Sequence, residues 1–499
     1  MLALGGPALA DPVPQGPGAG LVPPYLGAPA TARPITGAPI PVNPHMELPG
    51  YTGMHPDSWD SNTYPFGGPL GRSPEVTSSA KAPFPLPGLC SSLGYARGTG
   101  LLVGQCTYGT TFRLRLMDPR TLADLATFDL PMRPSTITAL LHLDFDAILS
   151  DTSGGAYFYL DDRDRVVLAD GAGHLRRIAH GRDAKGAWHF TVTDDWDLTT
   201  VVPHACPTWT NPNPAGECDP ITAVGPDWQG RIWWASRHGR IGTVDPATGT
   251  IKALPGLGED LENSFAASRD GVAIVTDHAL YMLRAAADGT PVIVWRRPYD
   301  RGTARKTGQI DQGSGTTPSF LGTRYVAITD NAAPRMHVNV YRRTDGGLVC
   351  SQPVFAAGAS ATENSMIAYG DSLVVENNSG YLNYLQLGPG ASVPGGVARV
   401  DVTGAGCRTV WQSAERSPST VLKASLANGL VYLYTKEPRA DLIDAWYLTA
   451  VDFRTGRTAF KVLTGTGKWF DNNWAPITLG PDGTAYVGVV GGLVAVRDR

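Results

Sequence analysis

Residues 221–236 read ITAVGPDWQGRIWWAS: a run of small and β-branched residues, a turn built on Pro-Asp and Gly, then an alternating aliphatic–aromatic run. Two strand-like runs around such a turn are the signature of a β-hairpin. The phrase recurs along the chain, at 92–106 (SLGYARGTGLLVGQC), 155–170 (GAYFYLDDRDRVVLAD), 264–277 (SFAASRDGVAIVTD) and 317–330 (TPSFLGTRYVAITD). It continues at 365–377 (SMIAYGDSLVVEN), 423–435 (KASLANGLVYLYT) and 475–489 (APITLGPDGTAYVGV). That makes about eight units, roughly 42–66 residues apart, which is the period of propeller blades. A third strand follows in several units, and an outer turn then carries Asp-x-x-Thr, at Asp118–Thr121, Asp245–Thr248 and Asp452–Thr455. Four antiparallel strands repeated radially leave little open sheet edge. The fold class is therefore all-β, a β-propeller of about eight four-stranded blades, with seven to nine allowed by the spacing.

Composition agrees. The chain has 499 residues, 42% hydrophobic and 17% charged, with 59 Gly and 41 Pro, enough apolar content for a large core and enough breakers for many turns. A net charge of −4, without Lys/Arg blocks, argues against a nucleic-acid footprint. No apolar run approaches the length of a membrane-spanning helix, so neither nucleic acid nor membrane is an expected partner, and a monomer is expected. Residues 1–10 resemble the end of a secretory signal, with Pro7-Ala8-Leu9-Ala10 before Asp11-Pro12. Residues 11–82 are Pro/Gly-rich without periodicity and read as an extended arm wrapping the domain, or a leader; the propeller is assigned to 83–499. Six cysteines form an even set without a CxxC metal pattern. Sequential pairing, Cys90–Cys106, Cys206–Cys218 and Cys350–Cys407, keeps each bridge within one blade or loop and implies export to an oxidising compartment.

The outer-strand Asp-x-x-Thr-Gly turn and the four-strand period resemble the bacterial secreted quinoprotein-like (PQQ-like) β-propeller superfamily, over most of residues 83–499. For the quinone enzymes of that superfamily the resemblance would imply a vicinal disulfide and a tryptophan floor. The chain has no Cys-Cys dipeptide, so PQQ itself is not expected.

In a propeller, the start of each innermost strand and the turn between the second and third strands share one face. That rule gathers Glu262, Asn263, Asp277 and His278 with Glu363, Asn364, Glu376 and Asn377. Asp330, Asn331, His238, Lys423 and Trp474 join the same face. Glu262, Glu363 and Asn364 offer the hard oxygen donors that suit Ca²⁺, the candidate metal. Asp277, His278 and Glu376 are the candidate acid–base residues. Asn263, Asp330, Asn331, Asn377, His238 and Lys423 are candidate substrate contacts, and Trp474 a stacking surface for a sugar or flat ligand. Iron on His174, His238, His278 and His337 is not expected, because His174 and His337 fall on third strands. The leading expectation is a secreted hydrolase or lyase acting on a small molecule or saccharide at the channel mouth. A non-catalytic extracellular binding propeller and a quinoprotein-like oxidoreductase are the alternatives. Gly313-Ser314-Gly315 reads as a turn of close backbone approach, and 132–150 as a short helix between the first two blades.

Overall fold

The computed structural model describes residues 16–81, 88–142, 148 and 151–499; the signal-like residues 1–10 lie outside that set. Eight four-stranded antiparallel sheets follow one another around an axis. From inside outward, the first blade is Gly88–Ala96, Leu101–Tyr108, Thr111–Met117 and Asp124–Leu130. Blades two to seven have innermost strands Tyr159–Leu160, Ile221–Pro226, Phe265–Ser268, Ser319–Leu321, Ile367–Tyr369 and Lys423–Ser425. Blade eight begins at Ile477–Leu479, and its outermost strand is Pro74–Ser78, paired antiparallel with Gly492–Asp498. Chain start and chain end thus close the ring together.

Side-chain alternation builds the core between blades rather than within them. Trp233 and Trp234, adjacent on one strand, point to opposite faces. Trp233 packs on Phe265 and Ile274 of blade four, Trp234 on Val167 and Leu175 of blade two. The Asp-x-x-Thr turns have a local cause. Asp118 Oδ1 accepts the N–H groups of Arg120 and Thr121 and the Thr121 hydroxyl, and Asp452 repeats this with Arg454 and Thr455.

Three disulfides form, in the sequential pairing, and they fit an oxidising environment, extracellular or periplasmic. One differs from expectation in what it joins. Cys350 lies on the outer strand of blade five (Leu348–Pro353) and Cys407 on that of blade six (Gly406–Ser413), so this bridge staples two blades. It closes a loop of 57 residues in sequence separation. Cys407→Ser with Cys350→Ser should lower the free energy of unfolding by about 2–4 kcal/mol, measured by denaturant titration.

The arm is integral to the ring. Tyr25–Gly27 adds a strand outside Thr458–Thr466 of blade seven. Residues 51–64 then enter the axial channel from the face bearing the turns between first and second strands. There the innermost strands present unpaired backbone groups, which must find partners when buried. The arm supplies them blade by blade. Tyr95, Leu160, Ala267, Phe320, Ala368 and Ala424 donate N–H bonds of 2.6–3.2 Å to the carbonyls of Tyr51, Thr52, Ser58, Trp59, Ser61 and Asn62. Thr63-Tyr64 finally pairs in parallel with Ala424-Ser425. Asp60 and Asn62 take φ of 52° and 53°, a conformation Asp and Asn tolerate better than most residues. The channel is plugged.

Candidate functional site

Above the plug a cavity of about 370 Å³ opens toward the face where innermost strands begin. Met54 and His55 of the plug form its floor. One wall is apolar and aromatic: Leu89 and Phe112 of blade one, Tyr157, Tyr384, Val421, Trp469 and Trp474. The facing wall is polar, with Asn263, Glu363, Asn364 and Ser365 from the starts of blades four and six. The short helix Pro134–His142, inserted between blades one and two, covers one side through Thr136 and Leu140.

Glu363 is buried, and its Oε2 accepts the Ile310 N–H at 2.6 Å. Burial holds its carboxyl well above the ordinary carboxylate range; Asp311 adds to this, while the Ile310 N–H, Arg237 and Arg305 oppose it. Behind it, Asn364 donates through Nδ2 to Glu376 Oε1 and to the Ser419 carbonyl. Burial pushes Glu376 up to about 8, against hydrogen bonds from Asn364, Ser417 and Asn378. Glu376 therefore keeps its proton at pH 7, and burial shifts Glu363 in the same direction.

Trp474 is locked in place. It adopts φ of 72°, strained for a tryptophan at about 1–3 kcal/mol, directly after Asn473 at φ 41°. The strain is held by Asp471, which accepts the Asn473 N–H at 2.9 Å and the Tyr381 hydroxyl at 2.7 Å. Tyr381 in turn meets Trp474 edge-on, with ring centroids 5.0 Å apart.

Asn263, Glu363, Asn364 and Trp474 thus share one cavity. Glu262 stands beside it in an ion pair with Arg237, whose other nitrogen holds Asp311 at 2.9 Å. The positive charge among these carboxylates is a guanidinium. No group of three or more His, Cys, Asp or Glu side chains with metal-binding geometry occurs among the described residues. Asp277 and His278 form a 2.7 Å pair at the rim, with Arg301 on the same carboxylate. His238, His174 and His337 each rest on their own carboxylates, Asp260, Asp195 and Asp330.

Other candidates serve the backbone. Asp330 accepts the N–H groups of Ala332 and His337; it lines a shallow groove with Arg297 and Asp300 instead of the axial cavity. Asn331 and Asn377 donate to loop carbonyls, Asn377 to those of Ala359 and Gly395. Lys423 lies in the channel, fully buried, donating to the Met54 carbonyl at 2.8 Å and to Asn62 Oδ1. It fastens the plug, away from the mouth. Gly315 is a close approach, as expected, since a Cβ there would meet the Thr362 carbonyl oxygen at 2.0 Å.

Sequence reasoning passed over Met54 and His55 of the floor, and Arg133 and Thr136 near the helix start. The tryptophan-flanked WFDNNW at 469–474 was the available signal for the aromatic wall.

Fold and site together define an eight-bladed β-propeller with an axial cavity floored by its own N-terminal segment. No family model and no curated protein matches the chain. Among solved structures it is similar to a computationally designed protein, Ika8 (TM-score 0.48, 12% identity, 84% of this chain and 98% of that one). It is also similar to the C-terminal WD40 domain of Sif2 (TM-score 0.46, 11% identity, 84% and 97%). A third is BamB from Moraxella catarrhalis (TM-score 0.37, 16% identity, 67% and 91%). At these scores the architecture rests on the strand pairing above, and activity is not carried over.

Proposed function

We propose that this propeller is an exported protein that binds a small, largely apolar molecule in its axial cavity. The observation that carries the reading is the cavity itself: about 370 Å³, closed below by Met54 and His55, with an apolar wall facing a few convergent polar groups. Ligand sites of this kind draw affinity from buried apolar area and orientation from the polar side.

The buried carboxyl of Glu363, lining the cavity and shifted upward by burial, favours a second reading, hydrolysis or elimination with Glu363 as the proton donor, because burial that favours the protonated form suits a carboxyl to general-acid work. Asp277 and His278, paired at the rim, are too committed to each other and Arg301 to head this scheme.

The uncharged aromatic fluorophore N-phenyl-1-naphthylamine tests the primary reading. It should bind saturably at one site, and Thr107→Trp, which projects an indole from the cavity wall, should abolish binding without lowering the melting temperature. Absence of saturable binding, or binding indifferent to Thr107→Trp, would sink the proposal.

A further inference from the structure

Arg133 is the least explained side chain of the cavity. It is buried, 6% exposed, and it lines the chamber. Its guanidinium lies over the Phe112 ring at 4.7 Å and spends one nitrogen, Nη1, on the Asp151 carbonyl at 2.6 Å. Nε is buried without any hydrogen-bond partner. Among the described residues Arg133 makes no ion pair. The neighbouring carboxylate, Asp151, is already engaged by the Ser135 hydroxyl and the Ser153 N–H. A buried guanidinium in that state is expensive, and it is normally offset by an anion.

A second orphan stands beside it. The Thr136 hydroxyl is buried, lines the same cavity and has no partner. Both residues sit at the beginning of the helix Pro134–His142, whose first N–H groups and dipole favour negative charge. Gly154, at φ 65°, makes room for the arginine side chain itself, since a Cβ there would lie 2.7 Å from its Cγ and 2.9 Å from Nε. The groups left open are those of a carboxylate receptor: a planar fork, a hydroxyl and a positive helix end.

We infer that the cavity's ligand is an aromatic monocarboxylate, its carboxylate on Arg133 and Thr136 and its ring between Phe112, Tyr384, Trp469 and Trp474. The inference deepens the binding reading and rests on it. Aromatic side chains around one chamber suit a flat ring better than a flexible chain, because rings stack in offset or edge-on geometry. One anionic group matches one unpaired cation, and Asp151 and the rim carboxylate Asp311 would repel a second.

The test compares 2-naphthoate with 2-naphthamide, which share shape and differ in charge, by quenching of tryptophan fluorescence in the full chain. Wild type should prefer the acid by about tenfold or more, with the preference shrinking at high salt. Arg133→Gln should erase the preference, and Thr136→Val should reduce it. Equal binding of acid and amide by wild type would overturn the carboxylate assignment while leaving the cavity reading intact. Failure of both ligands and of N-phenyl-1-naphthylamine would overturn the binding reading itself. The wild-type comparison needs no variant, so a misfolded Arg133→Gln protein does not rescue the idea.

Discussion

Glu376→Gln should make the protein more stable than wild type by about 4 kcal/mol at pH 8 and leave it nearly unchanged at pH 4.5. Glu376 is fully buried, and its folded-state pKa is raised from 4.5 to about 8. Between those values the folded protein keeps a proton that the unfolded chain has released. The contribution is therefore fully present below pH 4.5 and is lost as pH rises through 8. Glutamine removes the ionisation and keeps an oxygen for the Asn364 amide. Glu363, also raised by burial, and Asp57 and Asp471, pushed up to about 6 by burial, act with the same sign. Wild type should thus lose stability steadily from pH 4.5 to 8. Urea titrations of both proteins at several pH values check this. Parallel profiles would show that Glu376 is not the acid that burial makes it.

The second large effect concerns the plug. Lys423→Met should cost about 3–5 kcal/mol, because a buried charge deprived of its partner is far dearer than the pair. The ammonium is the donor to Met54 and Asn62, and it faces Asp60 and Asp57, which favour its charged form against burial. Without it, a carbonyl, an amide oxygen and two carboxylates remain in the channel. Asp57→Asn in the same background should recover part of the loss, a coupling that independent sites would not display. Limited proteolysis should then cut within residues 51–64 while the blades stay intact. If Lys423→Met unfolds no more easily than wild type, the lysine is not what holds the segment.

The ring was legible because its instructions are local. A hairpin phrase such as 475–489 and an Asp-x-x-Thr turn such as Asp452–Thr455 form from neighbouring residues, so eight repetitions announce eight blades. Pro74–Ser78 carries no such mark: it is a strand only because Gly492–Asp498 lies beside it. Residues 51–64 were opaque for the same reason, since their partners are backbone groups of six separate blades and impose no period. Within the site, placing strand starts on one face brought Asn263, Glu363 and Asn364 to the cavity. It did not bring Asp330 and Asn377 there: Asp330 accepts the Ala332 and His337 N–H groups and the His337 ring, and Asn377 bonds the backbone of neighbouring loops. It also put Lys423 at the mouth, although its side chain turns inward to the arm. Arg133 was missed because a lone arginine before a short helix looks ordinary until its missing partner is seen.

The base of the chamber is made of chain that belongs to no blade. Its depth is set by Met54 and His55, carried on a segment that enters and leaves through the opposite face. Shortening Met54 would deepen the chamber without touching the rim, and lengthening residue 54 would make it shallower. Selectivity for ligand length can therefore drift independently of the groups that read ligand charge. A scaffold of this kind can be retuned from beneath, by exchange of its base, while the eight sheets stay as they are.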